Sequence, residues 1–535
     1  MSAPDVLTQA ISDAYDETPY ISLPFSYSSP GNLRAVASLY NLDAPALNRA
    51  RVLELGCAAG GNLLPFALAY PEATVVGIDL SPQQIDAGRR TAEAVGARNL
   101  DLRAMSLTDI TADFGVFDYI ICHGVFSWVP PEVREAIWRI CRDNLAPQGI
   151  AYISYNTYPG WKASDVIRDA MILNTFGAET PQEKVARAKD MLELIEGGLW
   201  HNNPLRSALQ LAARQLRGQT DHYLLHEYLE AINTPCYFLE FAAAAQQAGL
   251  AYVTDAEPQV TFPSTFGAAV AVGLNGLSVN AGREMREQYL DFAVGRSFRR
   301  SLLVHAERAE GMLDQPEGGA FTRMHFAADL TAQTGPTGQR QYRAPHGVID
   351  SQDASMLALM EGLAQAWPQS LPFDALVDIV RPLAPQTPAD GLATLVIGHL
   401  VALVQANALH YRLEPAPYQA AQPKPQLIPG ALELLQQVTK PGCQVGMHNL
   451  WHHPVTPPAD ALYRYATSQI DGERSTAELR TLVRDALTAG RYPHPNGQSY
   501  KGARNLDPVA QEVVNSLLGE LRRVGLLLNL SLIHI

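Results

Sequence analysis

A chain of 535 residues with 54 acidic against 40 basic side chains, a net charge of −14, excludes a protein whose main partner is nucleic acid, although a local basic face stays open. Its five cysteines (Cys57, Cys122, Cys141, Cys236, Cys443) are scattered, odd in number and free of Cys-x-x-Cys pairs. That excludes a disulfide framework or zinc ribbon and points to reduced thiols in the cytoplasm.

In chain order, the first twenty residues hold neither a charged leader nor an apolar run, so no signal peptide is expected. A tyrosine-rich arm, Tyr15 to Tyr20 (YDETPY) and Pro24 to Tyr27, either lies over a bound ligand with Tyr20 against the substrate or packs on a sheet. Short apolar runs at 51–55, 74–78, 100–104, 119–123 and 150–155 alternate with helical patterns, which predicts an α/β, Rossmann-like doubly wound sheet over residues 1–170. Ser81-Pro82 caps a helix start, and Gly149 is expected to end the helix before the fifth strand.

From Pro181 the spacing turns helical: Val185, Ala188, Leu192, Ile195 and Leu199 share one face. A mainly α-helical middle domain is expected over 171–330, including a strand after Gly249 and a long helix from Arg283 to Glu307. Residues 331–430 read as a winged-helix-like α+β unit with a proline-rich linker, and 431–529 as a C-terminal helical or winged-helix-like unit. Apolar runs such as Phe266 to Leu277 are too short to span a membrane. Leu530 to Ile535 resembles the translation of a sequencing adapter, so the natural chain is expected to differ after Asn529.

The chemistry concentrates in Val52 to Asn62 (VLELGCAAGGN) and Val75 to Ser81 (VVGIDLS). A strand runs into a turn of small residues and a helix, and the next strand ends in a lone acid, Asp79, placed to take both hydroxyls of a ribose. A dinucleotide site wants glycine where Ala58 stands, because a Cβ there crowds the pyrophosphate. S-adenosylmethionine has no pyrophosphate, and Glu54 suits its cationic methionine end.

The fourth strand ends at His123 and Gly124, on the side where a switch-point crevice lies, so His123 is expected near the cofactor or packed as a cap. The fifth ends in ISYNTYPGW, where Tyr155, Asn156, Tyr158 and Trp161 either surround an amine nucleophile or form an aromatic turn. His222, His226 and Glu230 share a helix face but lack a fourth ligand, and His448, His452 and His453 flank Trp451; no metal is expected at either place.

These stretches resemble class I S-adenosylmethionine-dependent methyltransferases, and more closely the bacterial group with a methyltransferase regulatory domain that includes rickettsial protein-lysine methyltransferases. The resemblance rests on YDETPY, VLELGCAAGGNLLP (52–65), GIDLSPQQI (77–85), FDYIICHGVFSWVP (117–130) and YNTYPGW (155–161). Downstream, LLHEYLEAINTPCYFLEF (224–241) and YLDFAVGRSFRRSLL (289–303) extend it. Ser28-Ser29-Pro30 departs from the group's Thr-His-Pro, so no histidine role carries over there.

The resemblance implies Glu54, Gly56, Ala58, Gly60 and Asn62 at the methionine end, Asp79 on the ribose, Leu80 with Ser106 or Leu107 at the adenine, and His123 beside the methyl group. Tyr155, Asn156 and His123 become the catalytic candidates, with Tyr20, Tyr158 and Trp161 on the substrate. The implied partner is a protein, such as an outer-membrane or surface protein met before export. The alternatives are a small-molecule N- or O-methyltransferase, its added domains forming a homodimer interface, and a non-catalytic cofactor-binding regulator.

Overall fold

The computed structural model describes residues 21–418, 424–503 and 505–528. Tyr15 to Tyr20 of the tyrosine-rich arm and the adapter-like Leu530 to Ile535 lie outside these residues.

Seven strands form one mixed sheet: β1 (Arg51–Leu55), β2 (Thr74–Asp79), β3 (Leu100–Ala104), β4 (Phe117–Cys122), β5 (Leu145–Asn156), β6 (Leu250–Asp255) and β7 (Phe298–His305), in the order β3-β2-β1-β4-β5-β7-β6. The first five are parallel, and β7 runs antiparallel to both β5 and β6. The Val, Ile and Leu runs of β1, β2, β4 and β5 are buried on both faces, as a parallel sheet covered by helices requires, while the edge strand β3 buries only Leu102. Strand order reverses at β1 and β4, so the crevice opens at the ends carrying Gly56 and His123.

Helices α1 (Pro30–Leu39), α2 (Leu64–Ala69), α3 (Pro82–Val95) and α4 (Pro131–Asp143) flank the parallel half. The Ser81 hydroxyl accepts from Gln84 N at 3.1 Å to open α3, and Gly96, at φ +77°, closes it. Gly149 does not end a helix: α4 stops at Asp143, and Leu145 to Asn156 is one strand with Gly149 inside it. The approach is close there, since a Cβ on Gly149 would stand 2.9 Å from the Asp118 carbonyl oxygen.

Between β5 and β6 lie α5 (Trp161–Thr175), α6 (Pro181–Gly197), α7 (Arg206–Arg217), α8 (Asp221–Tyr228) and α9 (Phe238–Gln247). Helices α5 to α8 share a small core of their own that includes Trp161, Leu192, Leu209, Leu224 and Tyr228. Helices α10 (Ala268–Leu277) and α11 (Arg283–Val294) precede β7.

The expected helix from Arg283 to Glu307 breaks at Gly295, which takes φ +64°, and its second half is β7. Charge explains the misreading. Arg299, on β7, is fully buried, with Nε 2.8 Å from Asp291 Oδ2 and Nη2 3.0 Å from Glu287 Oε2, both on α11. A boundary at residue 170 therefore cuts through the sheet, because β6 and β7 complete it from the far side of the helical insertion.

Beyond the sheet, helices at Ala354–Ala366, Phe373–Val380 and Ala389–Gln405 pack with a three-stranded antiparallel sheet formed by residues 325–327, 371–372 and 410–412. A separate meander spans 331–350. The last unit holds helices Ala461–Ser468, Thr476–Thr488 and Asp507–Arg523. Among the described residues no helix is long and apolar enough to cross a membrane.

Candidate functional site

A cavity of about 270 Å³ opens at the β1/β4 switch point. After β1 the chain turns sharply: Gly56 N and Cys57 N both donate to the Ile78 carbonyl, at 2.8 and 3.0 Å, which ties the turn to β2. Gly56 takes φ +73°, and a Cβ there would meet Val125 Cγ2 at 2.3 Å. Ala58 also sits in the left-handed region, at φ +49°. Its N–H donates to Asp79 Oδ2 at 2.7 Å, while Ser81 N donates to Asp79 Oδ1 at 3.0 Å. The acid is thus oriented by backbone on both sides.

Glu54 is buried beside it. Asn62 Nδ2 donates to its Oε1 at 2.7 Å, whereas Oε2 is buried with no hydrogen-bond partner among the described residues. Burial, with Asp79 adding repulsion, pushes the Glu54 carboxyl up to about 8. A cation placed against Oε2 would relieve both effects, so the orphaned oxygen fits the positive methionine end of S-adenosylmethionine.

Asn62 also reaches outward. Its Oδ1 accepts from Phe25 N at 2.9 Å, and His452 Nε2 lies 2.7 Å from the Asn62 carbonyl oxygen. Gly61 N donates to Ser22 Oγ at 2.8 Å, and Ser22 in turn bonds Gln444 and Gly446. The C-terminal unit therefore braces the cofactor turn directly, with His452 in the role that sequence reasoning missed.

Leu80, Ser106 and Leu107 line the cavity with Met105, giving an apolar slot next to Asp79. Gly60 does not line it: at φ +74°, with Leu102 2.9 Å from where its Cβ would be, it shapes the turn from behind. His123 is on the wall. Its Nδ1 lies 3.0 Å from the Tyr152 hydroxyl and 3.1 Å from Ser154 Oγ, with the Phe25 ring 4.2 Å away. Burial, aided by the Arg300 charge, lowers it to about 3, so the imidazole is neutral.

The other catalytic candidates are placed elsewhere. Tyr155 is 1 % exposed, stacks on Phe241 of α9 at 3.9 Å and bonds Ser301 through its hydroxyl at 3.2 Å. Asn156 is buried; its N donates to Ser127 Oγ and its Nδ2 to Asn233 Oδ1, both at 2.9 Å. Neither lines the cavity, because α9 and the 233–236 segment close over the end of β5. Both side chains thus lie in the core, away from the cavity wall.

Tyr158 lies outside the cavity as well, its hydroxyl donating to Asp165 at 2.8 Å under Lys162. Trp161 stands one layer back: it stacks on Tyr228 at 5.3 Å and meets the edge of Trp128, which does line the cavity. The remaining wall includes Phe25, Phe298, His226 and Glu227, the last two from α8. Phe25 belongs to the aromatic arm and His226 to the histidine face noted in the sequence, whereas Glu227 and Phe298 were signalled only by their places within the stretches 224–241 and 289–303.

Two family models match: "Methyltransferase domain" over residues 52–149 and "Predicted methyltransferase regulatory domain" over 220–305. The uncharacterized protein RP028 of Rickettsia prowazekii is 40% identical over 235 residues, 44% of this chain and 94% of that protein. RP789 of the same organism is 41% identical over 299 residues; the match spans 56% of this chain and about half, 54%, of that longer relative. The solved structure of PKMT2 from Rickettsia typhi in complex with AdoHcy superposes with a TM-score of 0.82 at 26% identity, covering 96% of this chain and 100% of that one.

Proposed function

Because the chain belongs to the S-adenosylmethionine-dependent methyltransferases that carry a methyltransferase regulatory domain, we propose that it methylates lysine side chains of a protein substrate. The observation that carries the methyl-donor reading is the pair of oriented acids at one turn, Glu54 with its unpartnered oxygen and Asp79. Lysine as the acceptor is supported by the motif resemblance and by a cavity wall that combines aromatic rings with a further acid.

Asp79 lines the cavity with each carboxylate oxygen held by a backbone N–H, which orients the acid for the hydroxyls of a ribose. Leu80, Met105 and Leu107 offer apolar surface to the adenine. When bound, S-adenosylmethionine supplies an electrophilic methyl group on a sulfonium. The chain's own part is to align a nitrogen in line with it and to keep that nitrogen unprotonated.

Glu54 gives this reading a proton signature. Held near 8 without a cation beside it, it is mostly protonated at pH 7 and should ionise as the cofactor's positive end arrives. Binding is expected to release a proton at pH 7, and affinity should rise between about pH 6 and 8 and level off above. Calorimetry in two buffers of different ionisation enthalpy measures that release; identical heats would argue against the pairing.

The same raised value has a second sign. A carboxyl that holds its proton to higher pH when folded than when unfolded contributes stability that declines from about pH 4.5 to 8. Glu54→Gln should flatten this decline in the cofactor-free protein while weakening cofactor binding.

The substrate class is tested by incubating the protein with methyl-tritiated S-adenosylmethionine and a bacterial lysate, then separating macromolecules from metabolites. Label in the protein fraction that survives acid hydrolysis as methyl-lysine is the expected result. Label confined to the small-molecule fraction would favour a metabolite methyltransferase instead.

A further inference from the structure

Helix α8 carries an acid to the cofactor cavity from the segment that matches the regulatory-domain model. Glu227 lines the same cavity as Glu54, Asp79 and His123. Among the described residues, no hydrogen bond or ion pair engages its carboxylate.

Its position is nevertheless fixed. The Thr220 hydroxyl caps α8 by accepting from Tyr223 N at 3.2 Å, Leu224 and Tyr228 are buried in the helical core, and Arg168 donates to the Glu230 carbonyl. Tyr228, the next residue, stacks on Trp161, which braces Trp128 on the cavity wall. An acid and an indole thus line one cavity and are linked through Trp161, a combination that suits an organic ammonium.

A lysine ammonium has no lone pair, so some group must take its proton before methyl transfer. His123 is disqualified by its lowered basicity. Asp79 is oriented by the turn, and Glu54 is bound to Asn62 on the methionine side. His226 directs Nδ1 to Glu230 Oε1 at 3.2 Å. Burial pushes the Glu227 carboxyl up to about 7, with His226 pulling down and Glu230 pushing up more weakly. That value suits proton transfer at neutral pH.

We propose that Glu227 binds the ammonium of the incoming amine and accepts its proton, making the regulatory-domain segment the source of a catalytic residue. This rests on the amine reading above. The step balances: the N–H bond breaks and its proton joins the Glu227 carboxylate, leaving a neutral amine. The nitrogen lone pair then forms the N–C bond as the C–S bond breaks, giving a methylammonium and a neutral thioether. Glu227 afterwards returns its proton to solvent.

The test is Glu227→Gln, assayed by the same tritium transfer into lysate protein from pH 6 to 10. At pH 7 turnover is expected to fall about 100-fold or more, with S-adenosylmethionine affinity within about twofold of wild type as the check on folding. With S-adenosylmethionine saturating at every pH, so that the Glu54-linked change in affinity does not enter, the wild-type rate should rise through an inflection near pH 7 that the variant lacks. The variant should instead track the free-amine fraction and close to within about tenfold by pH 10, near the ordinary lysine value of about 10.4. A purely structural defect would not be rescued by pH.

In the cofactor-free protein, a glutamate side-chain ¹³C resonance titrating near 7 should vanish in the variant. Wild-type turnover and pH profile in Glu227→Gln, or loss of the pH 7 limb in His226→Gln alone, would overturn the assignment to Glu227. Wild-type protein that labels only oxygen or carbon would overturn the amine reading itself, and this assignment with it.

Discussion

Asp79→Ala is expected to weaken S-adenosylmethionine binding by about two to four orders of magnitude. Two charge-assisted hydrogen bonds to a ribose, at about 1.5–3 kcal/mol each, sum to about 3–6 kcal/mol, and about 1.4 kcal/mol corresponds to tenfold in affinity. The loss is larger than ligand contacts alone suggest, because the variant also leaves Ala58 N and Ser81 N without their acceptor. Asp79→Asn retains one acceptor oxygen and should fall between the two. Isothermal titration, with circular dichroism as the folding check, measures the series. Unchanged affinity in the alanine variant would remove Asp79 from the site.

Asp291→Ala should instead damage the fold, by about 3–5 kcal/mol, the usual cost of stripping one partner from a buried ion pair. Asp291 is fully buried and accepts from Arg299 Nη2 at 2.7 Å and from Arg296 Nε at 2.6 Å. Its removal leaves Arg299, which lies over the Phe238 ring at 4.0 Å, with Glu287 as its remaining carboxylate. Because Arg299 sits on β7 and Asp291 on α11, the break loosens the strand next to β5. Chemical denaturation should show the loss at any cofactor concentration. Stability within about 0.5 kcal/mol of wild type would mean that water or rearrangement satisfies the arginine.

The contrast between these variants reflects what was legible in the sequence. The cofactor turn is a local object: strand, small residues, helix and the next strand's acid lie within about thirty residues, and each group's role follows from spacing. Glu54 and Asp79 accordingly line one cavity. The acceptor side is not local. Tyr155 and Asn156 sit at the end of β5 like residues of a crevice, but α9 folds back over them, and nothing within their own stretch announces that.

Glu227 presents the reverse case. It reads as one more charge on a helix, and only the packing of Tyr228 and Leu224 turns its side chain to the cavity. Strand β7 was hidden by its arginines. Two adjacent arginines following an amphipathic helical run suggest a continued solvated helix until a buried carboxylate pair is found to receive Arg299.

Strand β5 borrows its outer neighbour from far along the chain. Ala151 pairs with Leu303 and Tyr152 with Leu302, about 150 residues later. At roughly 5–20 residues per second of synthesis, a nascent chain waits on the order of 8–30 s between finishing β5 and receiving β7. Throughout that interval a long apolar strand presents an open edge, the feature most prone to pairing with a neighbouring chain. Ribosome-bound intermediates stalled after residue 170 should therefore recruit holdase chaperones until residue 305 has emerged, which makes the order of translation part of how this sheet is assembled.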